Sequence, residues 1–373
     1  MVFALTAEEG ALVDQAAAPI GMEAGELAEH STLLFAYLAA ESSAWRRWTT
    51  STRTARSRHM WVNGLYESGP SFMNARHRSL ALHGLWAALT LGANRFDRRL
   101  QRSGMPEGVS VLATIVAWYT LLGIVERRRP HDEDWQATGD DLKADLPFFG
   151  MATVAGQVGQ QLTASSVGRF GRSPGAVARL GVPGGVVLSL LTSELVHYSL
   201  HRLSHEWGPA WTVHSVHHSP ERLHICNATR FQPAETFVET AIEAAALWAV
   251  GLSPSQHLTH ATARATYGQL QHANIELDSG ALDFVFATPD LHRWHHSEVY
   301  AEGDNNYGAV LSVWDGVFGT VFRPNRKLDS RLGVGRMPHF PQGLLGLLAA
   351  PLRWSKIKQE NAETWFDAAG DSR

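Results

Sequence analysis

Three clusters of histidine constrain this chain more than any other feature of its sequence. The first cluster, HRLSH, contains His201 and His205. The second and third, HSVHH and HRWHH, contain His214, His217, His218, His292, His295 and His296. Residues at i, i+3 and i+4 share one face of an α-helix, so each cluster is expected to direct at least two imidazoles towards one point. Helices with such faces can enclose metal ions within a bundle.

Eight clustered imidazoles are too many ligands for one ion but suit two. All-nitrogen ligation is compatible with iron, zinc or copper, and iron with open coordination positions is the choice that activates O2. Cys226 is the single cysteine, which excludes both a multi-cysteine metal site and an intrachain disulfide framework. The clusters therefore predict a di-metal centre ligated by histidine.

Other metal sites fit the sequence less well. The HExxH motif of zinc proteases is absent, because the HE pair at His205 is followed by WGP. Two ExxH strings begin at Glu194 and Glu221, as a di-iron carboxylate bundle would require, but they would leave the eight clustered histidines without a role. Two alternatives from other classes stay open: a zinc-dependent hydrolase or lyase that uses the clusters, and a metal- or lipid-binding protein without turnover.

The pattern along the chain favours an all-α architecture, since it has neither βαβ alternation nor an internal repeat. Four stretches have membrane character, namely 79–93, 108–125, 180–200 and 237–252. Only 108–125 is uncharged and approaches the length of about 20 residues that a bilayer requires, so a soluble all-α protein with buried helices is the alternative. The short apolar segment 343–352 is expected to lie in a membrane interface or to complete a core.

Charge and motif content limit the partners. A net charge of −4 gives no electrostatic reason to expect nucleic acid binding. No secretory signal is expected, because the first 30 residues contain acidic side chains and no continuous apolar core. The chain has no haem-binding module, no cysteine cluster and no GxGxxG motif that opens a βαβ unit, so electrons are expected from a separate donor. The basic stretches 127–129 and 46–58 are candidate docking sites for it.

Further strings surround the histidine clusters: ELVHYSLHRLSH, HSVHHS, QHANIEL, TPDLHRWHHS, DNNYG and WDGVFGT. Together with ERRRP at 126–130 and Trp135, they resemble the fatty acid hydroxylase / sterol desaturase superfamily. The resemblance extends roughly from residue 115 to residue 322, which is more than half of the chain.

This resemblance implies an all-α, polytopic membrane bundle with its di-metal centre at the cytoplasmic side, and the Ala/Arg/Gly-rich composition suggests the cytoplasmic membrane of a bacterium. It implies two iron ions, O2 as co-substrate, and a reductase, ferredoxin or cytochrome b5-like electron donor. The implied reaction is hydroxylation of an unactivated C–H bond in a lipid or other hydrophobic substrate, with desaturation as the alternative. The implied domains are an N-terminal extension (1–75), a catalytic domain (76–325) and a C-terminal tail with a short apolar segment (326–373).

Carried over to the matching positions, the resemblance makes nine histidines metal ligands. These are His201, His205, His214, His217, His218, His272, His292, His295 and His296. His272 lies in the QHANIEL string. Relatives with an HxxxH motif there would have a second histidine at position 268 or 276, where this chain has Gly268 and Glu276.

A second set of residues is expected behind the ligands or near the substrate. Its members are His197, Asn227, Arg230, Glu276, Asn306 and Asp315. Imidazole ligands need orienting partners on their other nitrogen, and further candidates for that role are Glu194, Glu235, Asp290, Asp304 and Asn305. Arg230 is expected either to hold an anionic head group or to pair with a carboxylate such as Glu235.

Overall fold

The computed structural model describes residues 70–106, 109–168, 175–326, 328, 331–335 and 337–362. These residues form α-helices linked by 3-10 turns and loops, and they contain no β-strand beyond two isolated bridges, Phe286 with Leu311 and Ser297 with Leu332. The predicted all-α class is confirmed.

The described α-helices follow one another in this order: α1 (Pro70–Arg102), α2 (Val109–Arg128), α3 (Gly139–Gly168), α4 (Gly181–Glu206), α5 (Gly208–His214), α6 (Pro233–Val250), α7 (Pro254–His272), α8 (Pro289–His295), α9 (Tyr300–Gly303), α10 (Val313–Phe318), α11 (Leu344–Ala349) and α12 (Trp354–Glu360). The 3-10 helices are Glu133–Trp135, Ala176–Leu180, Ile225–Thr229, Gly280–Phe284 and Pro351–Arg353.

The chain divides into two compact units, Met1–Ser110 and Val111–Arg373. The described part of the first unit is dominated by α1, which is 33 residues long. Of the predicted extension 1–75, residues 1–69 lie outside the described residues, and 70–75 form the start of α1. The second unit contains all three histidine clusters.

Local sequence fixes where two helices of the second unit begin. The Ser253 side chain accepts a hydrogen bond from the N–H of Gln256, and Pro254 is the first residue of α7. Thr288 and Pro289 begin α8 in the same way. A serine or threonine cap satisfies an N–H that the helix start leaves free, and proline has no N–H to leave unpaired at the first position. The SP and TP dipeptides thus fix the starts of the helices that carry His272 and the third histidine cluster.

Close packing around α4 brings the helices of the second unit together. α4 lies against α5, α6 and α7, and α3 packs along α6. Gly159 permits the approach of α3 to α6, because a Cβ atom there would lie 2.8 Å from the main-chain oxygen of Phe237. Trp118 ties α2 to α7 by donating its Nε1–H to the main-chain oxygen of Thr266 at 2.7 Å.

Two helical segments are long and apolar enough to cross a membrane. Val109–Arg128 has a mean hydropathy of 1.8 and Val177–Glu206 one of 1.3, and they correspond to the predicted stretches 108–125 and 180–200. The stretches 79–93 and 237–252 fall largely in α1 and α6, and within the described ranges no helix other than those two combines the same length and hydropathy.

The C-terminal residues pack against earlier parts of the second unit. Leu347, Ala350 and Ile357 are fully buried in a core that they share with Phe148 of α3 and with Val216. Segment 343–352, predicted to lie in an interface or to complete a core, therefore completes a core through part of its residues.

Two side-chain amides connect this segment to the region of the second histidine cluster. Gln232 donates to the main-chain oxygen of Leu347 at 2.8 Å. Gln342 donates to the main-chain oxygen of Ser219, the residue after His218, at 2.9 Å. The C-terminal segment is consequently joined to the histidine region by packing and by hydrogen bonds.

Candidate metal centre

The nine predicted ligands meet in two buried clusters. The five-histidine cluster consists of His201, His205, His214, His218 and His295, and the four-histidine cluster consists of His217, His272, His292 and His296. Within each cluster, one ring nitrogen from every histidine lies within 4.8 Å of all the others.

Each HxxHH motif is divided between the two clusters. His214 is the last residue of α5, and His217 and His218 lie in the turn that follows it. The i and i+4 residues, His214 and His218, join the five-histidine cluster, whereas the i+3 residue His217 joins the other. The third motif does the reverse, because its i and i+4 residues belong to the four-histidine cluster and its i+3 residue, His295, to the five-histidine cluster.

Neighbouring ring nitrogens have the spacing of ligands that share an ion. In the five-histidine cluster, Nε2 of His201 is 2.9 Å from Nε2 of His295, and Nε2 of His205 is 3.1 Å from Nε2 of His218. In the other cluster, Nε2 of His292 lies 2.8 Å from that of His272 and 3.0 Å from that of His296. Two nitrogens bound at right angles to one ion, each at the 2.0–2.1 Å typical of zinc–imidazole bonds, would be about 2.9 Å apart.

Hydrogen bonds on the far side of two rings determine which nitrogen carries the proton. Nδ1 of His201 bonds to the main-chain oxygen of Tyr307 at 2.8 Å, and Nδ1 of His295 bonds to that of Asn305 at 2.8 Å. A carbonyl oxygen only accepts, so both Nδ1 atoms are donors and both Nε2 atoms of the neutral rings carry lone pairs. Two lone pairs that face each other at 2.9 Å repel unless a cation lies between them, and the residues therefore fit a metal ion.

Carboxylates orient two more rings of the five-histidine cluster. His205 donates from Nδ1 to Asp304 at 3.0 Å, and His214 donates from Nδ1 to Glu235 at 2.6 Å. A carboxylate in this position fixes the tautomer and increases the basicity of the ligating nitrogen. Both carboxylates were among the predicted orienting candidates.

The four-histidine cluster is held mainly by ring packing. His272 bonds from Nδ1 to the Asn227 side-chain oxygen at 3.1 Å. In the part of the chain that the structure describes, the Nδ1 atoms of His217, His292 and His296 are buried without a hydrogen-bond partner. His217 stacks instead on Phe231, with ring centroids 3.9 Å apart.

Burial keeps these imidazoles uncharged. It lowers the pKa of His272 and of His295 to about 3. The pKa values of His218, His292 and His296 also lie well below the ordinary value, for the same reason. A metal ion needs neutral imidazole, and these side chains offer it at neutral pH.

The DNNYG and WDGVFGT strings form one hydrogen-bonded unit beside the five-histidine cluster. Asp315 accepts the N–H groups of Tyr307 and Gly308 at 2.8 and 2.9 Å. Asn306 has a φ of 56°, in the left-handed region that asparagine tolerates better than most residues. Its side chain bonds to the N–H and the main-chain oxygen of Phe322 and to the main-chain oxygen of Leu291 in α8. Asp315 and Asn306 thus position the loop whose carbonyls orient His201 and His295.

Glu194 supports the same loop from α4. Its Oε2 accepts the N–H groups of Ala309, Val310 and Leu311 at 2.9, 3.0 and 3.2 Å. Its other oxygen accepts from Arg264 of α7 at 2.9 Å. Glu194 therefore holds the loop in place, and none of its hydrogen bonds described above involves a histidine of either cluster.

The ERRRP and QHANIEL strings also meet. Glu126 accepts the N–H groups of Ile225 and Asn274 at 3.1 and 3.0 Å. Asn274 in turn accepts the N–H of Asp132 at 2.9 Å. Glu126 thereby holds the segment that follows His272 against the 3-10 helix that carries Asn227, a role that the sequence did not suggest.

The other predicted residues lie outside both clusters. Arg230 is buried and pairs with Asp145 at 2.6 Å, so it forms an ion pair with a carboxylate other than Glu235. Glu276 donates its N–H to the main-chain oxygen of Arg129 and belongs to neither cluster. Asp290 accepts the N–H of Ser279 and pairs with Arg293.

His197 belongs to a charged network that sequence reasoning missed. It pairs with Glu239 at 2.5 Å, and Arg264 lies 3.5 Å from the same carboxylate. Arg264 also pairs with Glu243, which contacts His260 at 3.1 Å. The two glutamates interrupt the apolar stretch 237–252. Charges in an apolar helix require partners on neighbouring helices, so this interruption was the sequence signal that could have predicted the network.

A cavity of about 180 Å³ lies between α4, α5 and α6. Its lining includes His201 and His214 of the five-histidine cluster, while its apolar walls come from Leu200, Leu203, Ala210, Phe231 and Val238. Glu235, Glu239 and His197 supply the polar part of the lining. An apolar group of a substrate can therefore approach the five-histidine cluster.

Comparison with known proteins relates the chain to one enzyme family. A family model described as fatty acid hydroxylase matches residues 186–320, a range that includes all nine histidines. The chain is 33% identical over 248 residues to the ornithine lipid hydroxylase OlsE of Rhizobium tropici. This match spans 62% of this chain and 72% of that protein.

Other relatives match a shorter part of this chain. The alkylglycerol monooxygenase of Danio rerio is 31% identical over 133 residues, and that of Homo sapiens 30% over 140 residues. These matches cover 36% and 38% of this chain and only 29% and 31% of those proteins. No solved structure matches this chain.

Proposed function

Because the chain belongs to the fatty acid hydroxylase family, we propose that it is an O2-dependent di-iron hydroxylase that inserts oxygen into a C–H bond of a lipid or another hydrophobic molecule. The observation that carries this proposal is the pair of lone-pair-bearing nitrogens of His201 and His295, 2.9 Å apart. Such a pair is stable around a cation and unfavourable without one.

Nine histidines would hold two ions, five around one and four around the other. The ligands are His201, His205, His214, His218 and His295 for the first ion, and His217, His272, His292 and His296 for the second. Two iron ions would supply the activation of O2. All-imidazole ligation from buried neutral rings fits iron in its reduced state.

The chain's own residues orient and protect that centre. Glu235 and Asp304 fix the rings of His214 and His205, and two carbonyl oxygens of the NYG loop region fix His201 and His295. The nine histidines are almost completely buried, so water has little access to the ligating nitrogens. Exclusion of water protects a reactive oxidant until substrate binds.

The cavity beside the five-histidine cluster is our proposed site for the carbon that is oxidised. Its apolar walls suit a hydrocarbon group, and its lining includes His201 and His214. The names of the relatives, ornithine lipid hydroxylase and alkylglycerol monooxygenase, refer to lipids, which supports a lipid substrate here. Hydroxylation is the outcome that these names favour over desaturation.

The same proposal places the enzyme in a membrane. The two candidate spans have only 28% and 33% of their apolar windows buried within the structure, which is low for core helices of a soluble protein. Arg127, Arg128 and Arg129 are exposed at the end of α2, where basic residues mark the cytoplasmic end of a span. We therefore propose an integral protein of the bacterial cytoplasmic membrane, polytopic, with its metal centre on the cytoplasmic side.

Electrons would come from a separate reductase, ferredoxin or cytochrome b5-like protein, for which the exposed arginines 127–129 are a docking site of suitable charge; the other basic stretch, 46–58, lies outside the described residues. Catalysis is assigned to 76–325, with 1–75 as an extension. Residues 326–373 are assigned as the C-terminal tail, and their described helices pack against other parts of the second unit.

Elemental analysis tests the proposal. The full chain is extracted in detergent, purified without O2, and compared with the double variant His217→Ala/His295→Ala, which removes one ligand from each cluster. His257→Ala is the matched control, because His257 is exposed on α7 and belongs to neither cluster. We expect two irons per chain in the parent and the control, and their loss in the double variant.

The iron-loaded protein is then supplied with O2, a reductant and lipid extracts, and O2 uptake is measured together with the appearance of a product heavier by one oxygen atom. Tightly bound zinc that iron does not replace, without O2 uptake, would overturn the oxygenase and favour a zinc-dependent hydrolase or lyase. A product with two hydrogens fewer would identify a desaturase.

A further inference from the structure

The C-terminal segment 344–360 combines a buried face with two leucines that point away from the protein. Leu345 and Leu352 are 80% and 92% exposed, more than any other large apolar side chain among the described residues. Single exposed apolar side chains are ordinary. These two lie within eight positions of one segment, and an apolar phase in contact with that segment would remove both from water.

The exposed leucines are held by the core beneath them. Leu347 and Ala350 lie between them in the sequence, Ile357 follows them, and all three are completely or almost completely buried. The Gln232 side chain bonds to the main-chain oxygen of Leu347. Leu345 therefore shares α11 with the buried Leu347, and Leu352 lies between the buried Ala350 and Ile357 in the sequence.

Charge identifies what covers this surface. Arg353, Lys356 and Lys358 are exposed on the same segment, against one acidic side chain, Glu360, which lies 3.7 Å from Lys356. Lys358 lies 6.0 Å from the ring of the half-buried Trp354. Leucine, tryptophan and basic side chains in one amphipathic segment are the composition that binds the surface of an anionic membrane. A second copy of this chain would suit the surface less well, because a two-fold symmetric interface would bring the basic side chains near their own copies.

We infer that segment 344–360 is an interfacial anchor, with Leu345 and Leu352 among the acyl chains of an anionic lipid surface and Arg353, Lys356 and Lys358 at the phosphates. This inference goes beyond the proposed hydroxylase activity and requires no turnover. It concerns a contact with the plane of the membrane surface, in addition to the two candidate spans.

The anchor also has a consequence for the metal centre. Its buried face shares a core with Val216, which lies between His214 and His217 in the sequence. Gln342, just before the segment, bonds to the main-chain oxygen of Ser219. Contact of the segment with the membrane surface therefore sets the depth of both histidine clusters relative to the lipid head groups.

Site-directed spin labelling tests the anchor in the full chain. Cys226→Ala removes the single native thiol, and nitroxide labels are attached to Leu345→Cys, to Leu352→Cys and, as the control, to Asp140→Cys. The Asp140 side chain is 90% exposed, so the control matches the leucines in exposure but is polar. The leucines make few contacts, so their replacement preserves the fold. Each protein is placed in nanodiscs of phosphatidylcholine with or without phosphatidylglycerol.

The measured quantity is the collision rate of each label with O2, which concentrates among acyl chains, relative to a water-soluble nickel chelate. We expect a ratio several-fold higher at positions 345 and 352 than at 140, greater with phosphatidylglycerol, and reduced by Arg353→Gln/Lys356→Gln/Lys358→Gln. Nickel access equal to that at position 140 would overturn the anchor. Labels that are immobile and inaccessible to both reagents would also overturn it, in favour of a protein partner. A ratio independent of lipid charge would overturn the role of the basic side chains.

Discussion

The two histidine clusters have the same ligand chemistry but are held in different ways. In the five-histidine cluster, two carboxylates and two main-chain oxygens accept hydrogen bonds from the Nδ1 atoms of His214, His205, His201 and His295. In the four-histidine cluster, the Asn227 side chain orients only His272, and the other rings depend on packing, as His217 does on Phe231.

This difference has an energetic consequence. Partners on the second nitrogen fix ring orientation, and negative partners increase the basicity of the ligating nitrogen. The five-histidine cluster also has one ligand more. We therefore expect it to bind its ion more tightly, whereas the four-histidine cluster exchanges its ion more readily and has a ligand set whose rings can adjust their orientation.

Removal of a single histidine from either cluster should give the largest loss of hydroxylation. His218→Ala leaves four histidines around one ion, and His296→Ala leaves three around the other. Both variants should lose hydroxylation by at least about 100-fold, since loss of an orienting partner alone costs 10–100-fold. Iron analysis should distinguish them, because His296→Ala is expected to lose its ion and His218→Ala to retain more iron. Equal iron loss would contradict the proposed order of affinities.

Loss of a carboxylate partner should weaken one cluster selectively. Glu235→Gln removes the negative charge behind His214 and is expected to reduce the affinity of the five-histidine cluster for its ion by about 10–100-fold, as measured by competition with a chelator. Glu243→Gln is the matched control, because Glu243 lies on the same helix and contacts His260, which belongs to neither cluster. An equal loss of affinity in the control would refute a specific role of Glu235.

Acid should destabilise the metal-free chain through both clusters alike. Burial lowers the pKa of His272 and of His295 to about 3, while an unfolded chain titrates histidine near pH 6.5. The unfolded state therefore binds more protons between these values, and stability is lost as the pH falls below about 6.5. Between pH 7 and 5.5 each of the two side chains should contribute a loss of about 1 kcal/mol in the free energy of unfolding.

Denaturant unfolding of the metal-free protein at the two pH values measures this loss. His272→Gln and His295→Gln should each remove a similar part of it, although they belong to different clusters, because burial dominates the pKa of both. A stability that does not change over this window would contradict the lowered pKa of both rings. Relief by only one variant would show that the clusters differ in protonation as well as in orientation.

The smallest effect is expected from the ring that supports His217. Phe231→Leu replaces the stacked ring at 3.9 Å by an aliphatic side chain and should cost about 0.5–1.5 kcal/mol in binding of the ion by the four-histidine cluster. Chelator competition should show a few-fold faster loss of one of the two proposed ions. If the ion of the five-histidine cluster were lost instead, packing would be excluded as the support of the four-histidine cluster.

Much of the site was predictable because its residues lie in dense motifs. The all-α class followed from the absence of βαβ alternation and of an internal repeat, whereas the nine histidines, Asp315 and Asn306 were selected from strings such as HSVHHS, NYG and WDGVFGT. Glu235 and Asp304 were candidates as well, but the sequence did not say which ring each would contact. The partner of Arg230 was left open, because a buried arginine pairs with whichever carboxylate packing brings near, and here it is Asp145.

The sequence by itself determined which side chains are available for a metal centre: histidine spacing at i, i+3 and i+4 fixes the relative directions of side chains within one helix or turn. Only the tertiary structure decided that each HxxHH motif contributes to both clusters. In each motif the i+3 residue, His217 or His295, belongs to a different cluster from the i and i+4 residues. The physical reason is that local spacing sets directions within one element, whereas the meeting of two nitrogens within 3 Å depends on how α4, α7, α8 and the turn after α5 pack against one another. The same packing chose the carbonyl and carboxylate partners that distinguish the two clusters.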